Sequence, residues 1–359
     1  MTVSDSTATD VPFRLTRLGV VMSADSDSEL EAEGVLNPGS GRSPDGRLWL
    51  LPRLVAAGNV SRVGLAEVVV QDGVPAGVRR AGVVLAPEAG WERSHHHAGV
   101  EDPRVTWIPT LGLHVMTYVA FGPLGPKAAL AVSDDLRAWR RLGPLHFEYQ
   151  PDLDTDLNLF PNKDVVFFPE PVPDPAGQPC YAVLHRPMWD LGWIRGGNHV
   201  YLPAGLRDPR PGIWISYVPV DGVHHDGRGL TNLRSHRLVA LPQYDYEALK
   251  IGAGPPPLRV EDGWLLIHHG VSGELSEGWA PQRAVHYTAG AMLLAGHDPA
   301  QILARTATPL LAPAVAEEQV GTVPNVVFPT AIEEIDGQRF VFYGMADSSI
   351  GVARLDATP

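Results

Sequence analysis

Side chains able to do chemistry are gathered in this 359-residue chain into five short polar or glycine-containing insets. They read NPG at 37–39, EDPR at 101–104, NKDVVFFPE at 162–170, KIGAGPPP at 250–257 and VPNVVFPT at 323–330. Arg104, Lys163, Arg186 and Lys250 lie in or beside these insets, an array of cations suited to holding an anion. Glu101 and Asp102 precede a proline, which favours an extended backbone and sends neighbouring side chains to opposite sides. Asp102 is the one expected to face inward. In a partly dry pocket its carboxyl would keep a proton near neutral pH, as a general acid must; the bland alternative is an aspartate that stabilises a turn. Asp164, Glu247 and Asp347 are further carboxylates beside an inset or at the end of a strand-like run.

The elements that must position these groups follow from what lies downstream of each inset. The runs are LWLL at 48–51, LHVMTYVAF at 113–121, YAVLHRP at 181–187, GWLLIHHGV at 263–271 and RFVFYGMA at 339–346. A strand unit repeated five times with a different polar inset predicts an all-β, five-bladed β-propeller with its site at the axis. Trp49, Tyr118, Trp264 and Tyr343 fall within strands and read as core. High glycine (37) and proline (34) with 19% charged residues favour short strands and tight turns over long helices. Residues 1–11 are expected to be a disordered tail, and 12–359 a single propeller domain in which 12–30 supply an outer strand closing the ring. Gly58-Asn59 reads as a hairpin turn, SDDL at 133–136 as a turn before a short helical piece, and the Gly/Pro-rich stretch within 188–212 as a loop or lid.

Composition excludes several functions. A formal charge of −13 argues against nucleic acid or an anionic membrane as partner, since both need a basic patch. Neither a membrane-length apolar run nor a signal-peptide pattern is present, and one cysteine, Cys180, fits a reducing compartment, so a cytoplasmic location is expected. The histidines at 95–97 alternate in direction on an extended chain and lack a matching carboxylate, so no metal site is assigned. Gly252-Ala253-Gly254 lacks the third glycine and the helix of a dinucleotide loop.

The insets NPG, EDPR, NKDVVFFPE, KIGAGPPP and VPNVVFP, together with SRVGLA at 61–66, LAVSDDLRAW, LHRP at 184–187, HHG at 268–270 and YGMADSSIGVA at 343–353, resemble in order the pattern of glycoside hydrolase family 130. That family comprises β-mannoside phosphorylases and related β-mannosidases on a five-bladed propeller. The resemblance implies Asp102 as catalytic acid, relaying its proton through a mannosyl hydroxyl to the glycosidic oxygen while phosphate attacks the opposite face of C1. It implies Asn37, Arg53, Arg62 and Asp347 around the mannosyl unit, and Asn162, Arg186, Lys250 and His269 around the phosphate. The implied function is an inverting phosphorylase acting on a β-linked manno-oligosaccharide or mannosyl-glucose, with inorganic phosphate as co-substrate and no cofactor; a homo-oligomer is compatible with it.

One position departs from the pattern. The phosphorylases carry an arginine directly before NKD, where this chain has Pro161; losing one charge-assisted anion ligand costs about 1.5–3 kcal/mol of phosphate binding. An inverting β-mannosidase is therefore the alternative, and it requires a second carboxylate about 6.5–9.5 Å from the first to activate water. A carbohydrate-binding pseudoenzyme on the same fold is the non-enzymatic alternative.

Overall fold

The structure, a computed structural model, describes residues 11–191, 200–261, 263–275 and 284–358. Antiparallel four-stranded units follow one another along the chain. Blade 1 runs Gly34–Arg42, Leu48–Ala56, Val60–Gln71 and Val74–Leu85; blade 2 runs Ala98–Ile108, Leu113–Gly122, Gly125–Ser133 and Arg140–Pro144. Blade 3 comprises Asn162–Phe167, Pro179–Pro187, Ile213–Pro219 and Asn232–Ala240, and blade 4 comprises Lys250–Ala253, Gly263–Glu274, Ala284–Ala295 and Ile302–Arg305. Blade 5 takes Val327–Ile335, Gln338–Met345 and Ser349–Ala357 from the C-terminal end and its outermost strand, Phe13–Ser23, from the N-terminal end. This pairing of the chain's two ends closes the ring of a five-bladed β-propeller. Every inset forms or leads into an innermost strand, and every apolar run is the second strand beside it.

The apolar runs are continuous because both faces of each blade are covered. In LWLLPRL, Leu48, Leu50 and Leu54 pack toward blade 5, while Trp49 and Leu51 pack toward blade 2. In blade 3, Val165 and Phe167 face blade 2, and Val166 and Phe168 face blade 4. A fourth seam joins Leu265 and Ile267 of blade 4 to Val327 and Val341 of blade 5. Period-two alternation thus builds seams all around the ring, and Val11, expected in the tail, is buried in one of them. Gly58 and Asn59 both have positive φ, 80° and 53°, as the predicted hairpin turn requires. No helix follows SDDL: Ser133 and Asp135 cap the amides of Leu136, Arg137 and Ala138, and the chain passes directly into the outermost strand of blade 2. Of the loop expected within 188–212, residues 192–199 lie outside the described residues.

A buried staple fixes the loop entering each of four blades. Glu92 is fully buried and accepts from the amides of Glu88 and Ala89, from Arg141 on the outermost strand (2.9 Å) and from Tyr118 on the second strand (2.8 Å). Glu318 does the same with the amides of Ala314 and Val315, with Arg17 (2.7 Å) and with Tyr343 (3.0 Å). Glu31 pairs with Arg80 of blade 1 (2.7 Å). Glu247 accepts from the amides of Gln243 and Tyr244, from Arg305 (2.7 Å) and from His268 (2.8 Å). Glu247, a candidate for water activation on sequence, is therefore a structural anchor with its oxygens fully engaged, and it does not line the central cavity.

Candidate active site

The innermost strands of blades 1, 2 and 3 share one local device. Pairing with the second strand is interrupted after Leu36, Glu101 and Lys163, and the next residue in each case is left-handed: Asn37 (φ 43°), Asp102 (φ 48°) and Asp164 (φ 54°). Asn and Asp tolerate this conformation better than most residues, and the bulge turns each side chain out of the sheet toward the axis. All three line one cavity of about 170 Å³ where the innermost strands begin. The extended backbone expected before Pro103 is replaced by this bulge. As a result Glu101 and Asp102 do not point apart: both bind the guanidinium of Arg53, at 2.9 and 3.0 Å.

Arg53 organises the acidic end of the cavity. Its Nε donates to Ser61 (2.9 Å), while Nη2 donates to Asn59 and Glu101 and Nη1 to Asp102 Oδ1, which also accepts from Asn37 Nδ2 at 2.8 Å. Burial works to raise the Asp102 pKa, but Arg53, Lys163 and Arg104 outweigh it and hold the carboxyl below its ordinary value. Asp102 does not store a proton in the free protein, contrary to the expectation from its pocket alone. Asp347, in the turn between the second and third strands of blade 5, does the opposite. Burial, followed by repulsion from Asp102 and Glu101, pushes it up to about 6 against the pull of Arg53.

At the other end, Asp164 is buried between two guanidiniums and an imidazole: Arg186 Nε at 2.5 Å, Arg104 Nη2 at 3.4 Å and His269 Nε2 at 3.5 Å. Burial opposes its ionisation, yet the Arg186 and Arg104 guanidiniums keep it firmly ionised, so it is a poor base for activating water. Gly252 passes so close to Asp164 and His269 that a Cβ there would collide with both, which explains a glycine in KIGAG. Burial keeps His269 neutral. Lys250 lies over the Tyr287 ring at 5.3 Å, and burial, reinforced by Arg186, brings its pKa down to about 7. Neither Lys250 nor Nη1 of Arg186 has a carboxylate partner among the described residues.

Asn37, Arg53, Asp102, Asp164, Arg186, Lys250, His269 and Asp347 thus converge on one cavity, which Lys163 also lines. Asn162 and Arg62 do not line it. Asn162 is buried just behind the wall and donates to His185 (3.0 Å); Arg62 is half-buried on the third strand of blade 1 with Nη1 unpartnered. Tyr287 and Met188 line the cavity and were not singled out from sequence. Tyr287 sits in YTAGAMLLAG, where nothing separates it from an ordinary strand aromatic; its place beneath Lys250 depends on the seam between blades 4 and 5. Pro161, in place of the arginine, is buried, and its carbonyl accepts from Met188 N at 2.9 Å.

A family model described as beta-1,4-mannooligosaccharide phosphorylase matches residues 46–358. The 1,2-beta-oligomannan phosphorylase of Thermoanaerobacter sp. (strain X514) is 31% identical over 262 residues, covering 72% of this chain and 68% of that protein. Among solved structures, beta-1,2-mannobiose phosphorylase from Listeria innocua superposes with a TM-score of 0.67 at 21% identity, covering 96% of each chain. A second solved structure is described by the statement that the GH130 family of mannoside phosphorylases contains glycoside hydrolases that target beta-1,2 mannosidic linkages in Candida mannan. It superposes at 0.68 and 21% identity, over 98% of this chain and 95% of that one.

Proposed function

The chain belongs to glycoside hydrolase family 130, and from that premise we propose that it is an inverting β-mannoside phosphorylase. The observation that carries the choice is the basic end of the cavity, where, among the described residues, Lys250 has no ion-pair partner and Nη1 of Arg186, whose Nε is paired with Asp164, has no hydrogen-bond partner. Such groups are suited to an inorganic phosphate dianion. A phosphate oxygen attacks C1 of the mannosyl unit, the glycosidic C1–O bond breaks, and the leaving oxygen takes a proton that Asp102 supplies through a mannosyl hydroxyl. The products are α-mannose 1-phosphate and the shortened sugar.

Asp102 must then gain a proton that the free protein does not give it. An anion beside Lys163 would cancel part of the positive field that keeps Asp102 ionised, and Asp347 across the acidic end disfavours two negative charges there. Occupancy by phosphate and sugar together loads the acid. Because Oδ1 of Asp102 is taken by Asn37 and Arg53, Oδ2 is the oxygen left for the substrate hydroxyl. Cys180, buried and unpaired, supports assigning the enzyme to the reducing cytoplasm.

The hydrolase alternative is favoured by Asp347, whose pKa of about 6 suits a base that activates water. Incubation with β-1,2-mannobiose or β-1,4-manno-oligosaccharides, with and without phosphate, decides between them. Mannose 1-phosphate formed only with phosphate is expected, and Asp102→Asn should lower its rate by about 10² or more with the fold intact. Free mannose released equally fast without phosphate would replace the phosphorylase with the hydrolase.

A further inference from the structure

Among the described residues blade 3 has no glutamate staple; in its place a chain of neutral hydrogen-bonding groups crosses the blade. Asn162 Nδ2 lies 3.0 Å from His185 Nδ1, His185 Nε2 lies 2.7 Å from Ser216 Oγ, Ser216 Oγ lies 2.8 Å from His236 Nδ1, and His236 Nε2 lies 2.9 Å from the Glu148 carbonyl oxygen. Asn162, His185, Ser216 and His236 are all buried. The inner end stands behind the anion end of the cavity. The outer end, His236, forms the floor of a separate groove of about 630 Å³ on the outside of the blade, between Glu148, Gln150, Arg234 and Arg237.

The direction of every bond in this chain is forced from one end. A carbonyl oxygen only accepts, so His236 Nε2 must carry a hydrogen. While His236 is neutral its Nδ1 accepts, so Ser216 donates to it and itself accepts from His185 Nε2–H. His185 Nδ1 is then an acceptor, and Asn162 must present its NH2 to it, leaving Oδ1 buried and unpartnered. If His236 gains a second proton, both of its nitrogens donate and the chain must reverse. Ser216 turns its hydrogen to His185 Nε2, His185 Nδ1 carries the hydrogen, and Asn162 rotates to accept it with Oδ1. The balance is one proton taken up: it enters at His185 Nδ1, the Nε2 hydrogen of His185 passes to Ser216, and the Ser216 hydrogen passes to His236 Nδ1.

We propose that His185, Ser216 and His236 are positioning residues whose shared hydrogen-bond direction, set by the proton state of His236, decides which end of the Asn162 carboxamide is held by His185 and which is left free behind the wall of the anion end of the cavity. A free NH2 end favours an anion beyond the wall and a free oxygen end disfavours it, so uptake of one proton by this chain tightens phosphate binding, and bound phosphate in turn favours protonated His236. That the anion is phosphate rests on the phosphorylase proposal; the reversal itself does not. Burial lowers the titration of His236 from the usual 6.5; the Glu148 carbonyl and carboxylate and Asp156 pull it back up, and His146 pushes it down. Of the other charges at this groove, Arg234 pairs with Asp174 and Arg237 with Asp298; Asp152 also lines the groove. The switch therefore works below the ordinary histidine range, apart from any titration of Lys250.

The decisive measurement is made on the unsubstituted chain, with one variant used only for assignment. In protein labelled on asparagine side-chain nitrogen, with Asn162 assigned by its loss in Asn162→Asp, the Asn162 amide signals are expected to shift with the same midpoint as the His236 ring, without phosphate. Signals that stay fixed through the His236 titration overturn the proposal, whatever the enzyme's activity. Ser216→Ala is expected to abolish this linkage and to raise the Michaelis constant for phosphate at acid pH about three- to tenfold, with that for the mannoside unchanged. A purely structural serine would lower the melting temperature without touching either the linkage or that ratio. Linked titration in an enzyme indifferent to phosphate supports the switch and removes the phosphorylase.

Discussion

Blades 1, 2, 4 and 5 hold their entry loops with a buried glutamate clamped by an arginine from their own outermost strand, whereas blade 3 spans the same depth with His185, Ser216 and His236. The two solutions differ in what they permit. A carboxylate meeting a guanidinium has one polarity and one geometry, and Glu247, with Arg305, His268 and two backbone amides, cannot exchange its roles. A chain of imidazoles and a hydroxyl can run in either direction at nearly equal energy. The rigid solution serves blades 1, 2, 4 and 5, which hold Asn37, Asp102, Lys250 and Asp347 on the cavity wall in one fixed arrangement. The reversible one serves the blade that supplies Lys163, Asp164, Arg186 and Met188 to the cavity.

Breaking one example of each kind tests that contrast most directly. Glu247→Ala leaves Arg305 buried without its partner and should cost about 3–5 kcal/mol of stability. Ser216→Ala removes a neutral link and should cost about 1–2 kcal/mol. Urea unfolding midpoints compared at constant m-value give both numbers. Equal losses would mean that the staples contribute no more than ordinary hydrogen bonds.

The staples were hidden in the sequence, and the reason is distance. Glu31 and Arg80, like Glu92 and Arg141, are 49 residues apart; Glu247 and Arg305 are 58 apart, and Glu318 meets Arg17 across 301. No local motif links such partners, and Glu247 consequently reads as a free carboxylate beside KIGAG. Asn37, Asp102, Lys163, Asp164 and Lys250 were legible because each lies within an inset that recurs blade by blade, and Asn37, Asp102 and Asp164 occupy one repeated bulge position; Arg186 and His269 lie instead in the apolar runs that follow, and Arg53 and Asp347 just beyond such runs. Their charge states were not legible. Asp102 alone before a proline suggests a proton-bearing acid, but Arg53 from blade 1 and Lys163 from blade 3 reverse the sign. Closure by residues 12–30 was readable because a propeller whose last unit stops one strand short must borrow that strand from the other end.

The seam between a stapled blade and blade 3 sharpens the comparison through pH. Lys250 belongs to blade 4 and faces Arg186 of blade 3, and its pKa of about 7 lies below that of a free lysine. It is charged below pH 7 and neutral above, so its help to an anion is present on the acid side and lost as pH rises. The Michaelis constant for phosphate is expected to climb above about pH 7, at most tenfold per unit if a single proton is involved, while that for the mannoside stays level. Lys250→Met should flatten the climb. A profile that rises unchanged in the variant would assign it to the second ionisation of phosphate itself.

The smallest expected effect asks whether blade 3 can be returned to the arrangement from which it departs. Pro161 donates no backbone hydrogen bond, so an arginine there forfeits none, and its carbonyl can go on accepting from Met188. The neighbouring Phe160 is packed edge-on against Trp189, which holds the loop on its present course. With Met188 on the cavity wall, a long side chain from position 161 starts close to the anion end. Arg186 and Lys250 already supply positive charge there and would repel a third cation until phosphate arrives, so the gain is expected to be partial. Pro161→Arg should lower the Michaelis constant for phosphate by about two- to tenfold and leave the mannoside constant unchanged. A variant that folds normally and shows no improvement would mean that the Phe160–Trp189 contact carries the side chain away from the cavity. Position 161 would then lie on a loop whose path keeps its side chain out of the cavity.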